Sequence, residues 1–210
     1  MRKLYYNLIL SFIVTFLLFI TTPSVFAATP SFDYKHGFVG AKKCKKCHKS
    51  KKKGDQYGIW KDSRHAKSFK TLGGRNAKKY GKKFGIDDPQ KSEKCLICHT
   101  TAFKAPKDLI GKKFKIKDGI QCERCHGPGK DYSKKKVMTK IMEEMKASNK
   151  KSSATAQKTG LVHPTEERCL ECHVESMTID GVKYTNPAYT KPFNFKESME
   201  KIKHFRPENQ

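Results

Sequence analysis

The sequence predicts a mainly α-helical domain with long loops and little or no sheet, carrying too few apolar side chains to fill a generous interior. Three observations predict it. All eight cysteines lie in one repeated pentapeptide whose cysteines are three residues apart, about one helical turn. Only 36% of the 210 residues are hydrophobic, and the N-terminal stretch uses much of that share. Apolar residues elsewhere recur at helical spacing, and no βαβ pattern is visible.

Taken in order, Met1–Ala27 reads as an export signal. Arg2 and Lys3 form its basic start, Leu8–Ile20 its apolar run, and Val25-Phe26-Ala27 a small-residue cleavage site. The run is short for a membrane span of about 20 residues. Cleavage after Ala27 leaves 28–210 as one domain. Tyr57–Leu72 has helical character, with Asp55 as N-cap, and carries Trp60, His65 and Phe69. Asp88-Pro89 opens a helix leading into Cys95. Gly111–Gly119 suggests a hairpin arm or loop, and Gly127-Pro128-Gly129 stops any helix before it. Lys134–Met145 reads as a helix with a packing stripe of Val137, Met138, Ile141, Met142 and Met145. Residues 146–160 read as a mobile polar loop. The last helix starts near Asn194, with Glu197 placed as a capping-box acid and His204 on its inner side.

The pentapeptides are CKKCH (44–48), CLICH (95–99), CERCH (122–126) and CLECH (169–173). Two cysteines on one side of a helix turn can reach two vinyl groups along one haem edge and form thioethers. The adjacent histidine offers an imidazole to the iron. The pattern is that of c-type haem attachment, four times over. It assigns Cys44, Cys47, Cys95, Cys98, Cys122, Cys125, Cys169 and Cys172 to covalent anchoring, and His48, His99, His126 and His173 to the irons. Four-thiolate zinc sites also use Cys-x-x-Cys pairs. Zinc has no need of a histidine after every pair. Histidine makes up 8 of 210 residues, so four chance placements would occur on the order of two times in a million. Thioredoxin-like pairs usually occur once, near a βαβ unit, and four identical short-loop disulfides would make an odd framework.

Covalent haem c, attached outside the cytoplasm, agrees with the export signal and with a periplasmic or equivalent location. Removal of 27 of the 210 residues leaves 183, roughly one haem per 46 residues. Apolar macrocycle faces would then replace side chains in the interior, so the apoprotein is expected not to fold.

The formal net charge is +25, and +23 without Arg2 and Lys3, because the signal segment holds no acid. Eight haem propionates would lower it to roughly +15. Lysine supplies 39 of the 45 basic residues, and flexible point charges suit fast, loose docking on an acidic protein. An anionic membrane surface is the second destination for such charge. Nucleic acid is excluded by the compartment an exported haem protein occupies.

Each iron has a further axial position. Histidine there keeps the potential low, methionine raises it, and an open position binds small molecules. Four histidines lie outside the motifs: His36, His65, His163 and His204. His65, His163 and His204 are the candidate distal ligands. His36, in an arm expected to be mobile and able to reach a haem of a neighbouring subunit, and Met177 are weaker candidates. Three distal histidines leave one iron five-coordinate, and four close every site.

Several segments resemble the tetrahaem cytochrome c-554 family: VGAKKCKKCH (39–48), Trp60 with SRHA (63–66), CLICHTT (95–101), GIQCERCHGPGKDY (119–132), HPTEERCLECH (163–173) and KIKHFRP (201–207). The resemblance implies an α-helical periplasmic protein with closely packed haem pairs. It implies electrons accepted from a hydroxylamine-oxidising multihaem enzyme and passed to other cytochromes. It also implies a five-coordinate haem at His99, with His163, His204 and His65 serving the haems of His48, His126 and His173. A ligating His36 would put the open His99 site in doubt.

A soluble electron carrier without a catalytic residue of its own is therefore the leading expectation. The alternatives are reduction of a small nitrogen oxide such as nitric oxide at a five-coordinate haem, and a haem-wired filament subunit. The sequence supplies no clear distal acid or base for the first.

Overall fold

The computed structural model describes residues 35–179, 181–187 and 189–204. The export signal and the end of the 201–207 segment lie outside them. Ten α-helices and one small hairpin are described: α1 (Ala41–His48), α2 (Gln56–Asp62), α3 (Ser68–Thr71), α4 (Arg75–Lys83), α5 (Glu93–His99), α6 (Cys122–His126), α7 (Lys135–Ser148), α8 (Ala154–Lys158), α9 (Glu166–Leu170) and α10 (Phe195–Ile202). Strands β1 (Ser176–Ile179) and β2 (Val182–Thr185) pair antiparallel, with Met177 opposite Tyr184. The protein is mainly helical, as the composition and spacing predict. Among the described residues no helix is long and apolar enough to cross a membrane.

Apolar burial is divided between two small clusters. Ile97, Phe103 and Met177 form one, beside Leu96, Cys98, Val174 and Tyr184. Met177, 5% exposed, is therefore packed as a core side chain. Tyr132, Ile141, Met145 and Ala156 form the other. Ile141 and Met145 carry the inner face of α7 as the helical stripe predicts, but Met142 faces outward.

Several boundaries differ from expectation. Asp55 does cap α2, its carboxylate accepting from the Gly58 amide at 3.1 Å. The helix then breaks at Ser63, so His65 lies in the turn before α3 rather than on a helix. Asp88 makes a local turn, accepting from the Gln90 amide at 3.0 Å, and α5 begins only after Ser92. Of the two alternatives for residues 111–119, the loop is found, with a 3-10 turn at Ile116–Asp118. The 146–160 segment is not a loose loop. Ser153 caps α8, Ala156 is buried against α7, and Glu144 accepts from Thr155 Oγ1 at 2.6 Å. Small residues and one acid dock it without an obvious hydrophobic pattern. Asn194 caps α10, but Glu197 pairs with Lys201 rather than closing a capping box, and His204 lies just beyond the helix.

The interior that joins these pieces is largely polar. Gln121, Glu123, Thr100 and Thr101 are among the most buried large side chains. Glu123 accepts from the amides of Val39 (2.8 Å), Gly40 (2.8 Å) and Gly129 (2.7 Å). Gln121 accepts from the Ala41 amide at 2.8 Å and donates to the Lys115 carbonyl at 3.0 Å. Its own amide donates to Thr101 Oγ1 at 2.7 Å. Two neighbouring side chains thus fasten the start of α1, the end of α5 and α6 to one another. The stretch around Phe38 is further held by Leu109 and Gly111 and by the Lys130 amide. The arm carrying His36 is therefore anchored.

Candidate functional site

The four attachment motifs converge through their sulfurs. The Cys44 thiol of α1 hydrogen-bonds Cys122 of α6, and this contact pushes Cys44 well up and Cys122 down. The Cys98 thiol of α5 does the same with Cys172, which is held down to about 6 by that bond, with Arg124 adding to it. Cys125 is raised to about 11, first by burial and then by nearby Cys169. None of the eight cysteines is in a disulfide. In space the first motif therefore meets the third, the third meets the fourth, and the fourth meets the second.

A buried ion pair marks the central junction. Arg124, inside the third motif, lies 2.8 Å from Glu171, inside the fourth, and both side chains are nearly sealed from solvent. Arg124 also reaches Cys172 Sγ at 3.5 Å.

The candidate distal histidines fall beside attachment histidines. The rings of His65 and His173 are 6.1 Å apart, centre to centre, and those of His126 and His204 are 5.8 Å apart. A metal–imidazole bond of about 2 Å on each side would hold two ring centres roughly 6 Å apart. His48 and His163 both lie within electrostatic reach of His126, so four imidazoles share one region. Phe193 stacks on His173 at 4.8 Å, a neighbour that sequence reasoning did not identify.

The backbone orients these rings. His99 Nδ1 donates to the Ser68 carbonyl at 2.9 Å. His126 Nδ1 donates to the Val162 carbonyl at 3.3 Å, and His204 Nδ1 to the Ile202 carbonyl at 3.3 Å. His48 Nδ1 lies 3.4 Å from Gln56 Oε1. A proton held on Nδ1 leaves the Nε2 lone pair for a metal, the usual support of a ligating histidine. Burial, with His204 nearby, pushes His126 down to about 4. Burial also lowers His65, His173 and His204. Neutral imidazole is the form that binds a metal. Among the described residues no three His, Cys, Asp or Glu side chains converge as a cage. Facing pairs of neutral imidazoles beside Cys-x-x-Cys turns fit axial haem ligation.

His65 owes its position to Gly119. The His65 carbonyl accepts from the Ile120 amide at 3.0 Å, and Trp60 Nε1 donates to the Ile120 carbonyl at 2.7 Å. Gly119 sits at φ 71°, and a Cβ there would come within 2.7 Å of the His65 carbonyl and 2.6 Å of Ser68 Oγ.

His36 stands apart from the other rings. Its Nδ1 pairs with Asp131 at 2.8 Å and its ring packs over Gly160. That packing within its own chain does not suit a ligand offered to a neighbouring subunit. Gln121, Glu123, Glu171 and Asp131 were not recognised from the sequence. Glu123, Arg124 and Glu171 occupy the variable slots of their motifs, where haem attachment itself imposes no residue.

Comparison with known proteins identifies relatives of this chain. A family model described as "Cytochrome c554 and c-prime" matches residues 43–127. Cytochrome c-554 of Nitrosomonas europaea is 30% identical over 198 residues, covering 79% of this chain and 73% of that protein. The solved structure of reduced cytochrome c554 from the same organism superposes with a TM-score of 0.52 at 30% identity, covering 81% of this chain and 85% of that one. The chain therefore belongs to the cytochrome c-554 family, multihaem electron-transfer cytochromes that carry haem c covalently.

Proposed function

We propose that the mature chain is a periplasmic electron carrier holding four haems c, one at each Cys-x-x-Cys-His motif. It takes electrons from an acidic multihaem oxidoreductase, of the hydroxylamine-oxidising kind, and delivers them to another cytochrome. The observation that carries this reading is the continuity of the motifs. Cys44 meets Cys122, Cys125 lies by Cys169, and Cys172 meets Cys98. Tethered groups would follow one another in the order first, third, fourth, second.

The chain's own residues supply anchoring, orientation and electrostatics, while bound haem supplies the one-electron chemistry. His65 with His173 and His204 with His126 would hold two of the haems as axial pairs. His163 would serve the haem of His48, as the family resemblance implies; both lie within electrostatic reach of His126. His99 is fixed through Ser68, and like His48 it has no second imidazole ring against it among the described residues. The family resemblance implies that a haem held by His99 would be the five-coordinate one, the place where a nitrogen-oxide side activity would reside. The anchored His36 speaks against a filament held by intermolecular ligation.

The test is a mass and spin-state measurement on the secreted protein. The reading requires an increment of four haems, one high-spin iron in four, and carbon monoxide binding to that one alone. Zinc in place of iron would end it, and four low-spin irons would remove the open site.

A further inference from the structure

The lysines are not spread evenly over the four motifs. Between Lys42 and Lys53 there are eight lysines and no acid. The second motif has Glu93 beside it, the third contains Glu123, and the fourth contains Glu171 and follows Glu166 and Glu167. Only CKKCH has basic residues in both variable slots. Seven of its eight lysines are exposed; Lys43 is half-buried. Among the described residues none of the eight forms a salt bridge, though Lys45 lies over the Tyr57 ring at 5.5 Å. The three lysines of the 3-10 turn Lys51–Lys53 extend the patch beyond α1.

We infer that the face formed by α1 and the Lys51–Lys53 turn is the docking port for an acidic one-electron redox protein, resting on the electron-carrier reading above. The position fits the task. The patch surrounds the first attachment motif, at one end of the run of four, and Cys44 joins that motif to the third. A partner held there is as close as the surface allows to the end of the relay. Lysines on flexible stems attract an acidic face from a distance and release it readily, as rapid turnover needs. The transfer is outer-sphere: the donor loses one electron, this chain takes it up, and no bond or proton moves.

The patch also lacks what a lipid surface would use. Membrane-lying helices combine basic residues with large apolar anchors. Tyr80, Phe84, Ile116 and Met142 lie on other elements, and of the exposed large apolar residues only Ile59, on α2 beside α1, is near the patch. Tyr80 and Phe84 accompany Arg75, Lys78, Lys79, Lys82 and Lys83 at α4, a separate basic surface.

That separation provides a matched control. Two holoprotein variants are compared: Lys42, Lys49, Lys51 and Lys52→Glu at the port, and Lys78, Lys79, Lys82 and Lys83→Glu at α4. Both change net charge equally. The probe is a reduced plant-type [2Fe–2S] ferredoxin, an acidic one-electron donor, in stopped flow across a salt series. The port variant should be reduced roughly 10- to 100-fold more slowly at low salt, with a flatter salt dependence, and the α4 variant within about threefold of wild type. Carbodiimide coupling of wild type to ferredoxin should place cross-links on residues 42–53. Equal slowing of both variants, or cross-links on α4, overturns the port and leaves the carrier intact. Unchanged ferredoxin kinetics with loss of phosphatidylglycerol-vesicle binding in the port variant overturns it in favour of a membrane. A wild type that accepts no electrons from dithionite overturns the carrier reading, and the port with it.

Discussion

Glu123 offers the most direct test of how the polar interior holds the haem motifs together. Its carboxylate is 2% exposed and accepts from three amides: Val39, Gly40 and Gly129. Glu123→Ala strands all three donors. A buried unsatisfied donor costs about 1–3 kcal/mol, and shared relaxation with some water entry keeps the sum near the low end. The expected loss is about 4 kcal/mol, or roughly 8–16 °C in Tm for a chain of this size. Glu123→Gln keeps the shape and one carbonyl oxygen. Val39 and Gly129 both donate to one oxygen in the wild type, so that oxygen can be retained while the Gly40 amide meets an NH2 group. One bond and the charge assistance are lost, about 1–3 kcal/mol. The assay is denaturant unfolding of the holoprotein, with haem count by mass spectrometry to verify equal loading. The pH dependence adds a second check. Burial pushes the Glu123 carboxyl up, and the three amides pull it back only in part. A raised folded pKa means the proton is held more tightly in the native state. The stability linked to that proton is full below the ordinary value of 4.5 and declines as pH rises through the folded value. Glu123→Gln should abolish this dependence. An alanine variant within about 0.5 kcal/mol of wild type, or a glutamine variant as damaged as alanine, would refute the reasoning.

Three further predictions follow from the same geometry. His65→Ala and His204→Ala should each convert one low-spin iron to high spin in paramagnetic resonance, the first at the His173 haem and the second at the His126 haem; an unchanged spin count would break the pairing. Gly119→Ala should destabilise by about 1–3 kcal/mol, through the left-handed backbone and the contact with the His65 carbonyl, and should weaken His65 ligation, seen as partial high-spin signal. Arg124→Met should cost about 3–5 kcal/mol because it leaves Glu171 buried without its partner, whereas Arg124→Met with Glu171→Gln should recover much of that loss in denaturant unfolding; additive losses would mean the two side chains act independently.

The helices were legible where local chemistry set them. Asp55 and Asn194 are caps whose side chains satisfy amides three residues on, and Gly127 ends α6 at φ 81°. Residues 146–160 were not legible, because α8 is held by Ser153, Ala156 and Thr155 against a helix whose position the local sequence does not specify. The break at Ser63 was equally hidden. The turn around His65 is stabilised by Gly119 and Ile120, which lie far along the chain.

The covalent logic of this protein is written in five-residue words, so the amino-acid order alone names the prosthetic group, its sulfur anchors and one imidazole for each. Which imidazole faces which was offered only by resemblance and is seen as ring contacts in the folded chain for two pairs; the spatial order of the motifs came only from that chain. So did the part played by Gln121, Glu123 and the Arg124–Glu171 pair. Those arrangements depend on hydrogen bonds between residues as far apart as 84 positions, and on burial that strengthens them. No local pattern encodes such a partner, because the same glutamate exposed on a helix would be an ordinary solvated charge.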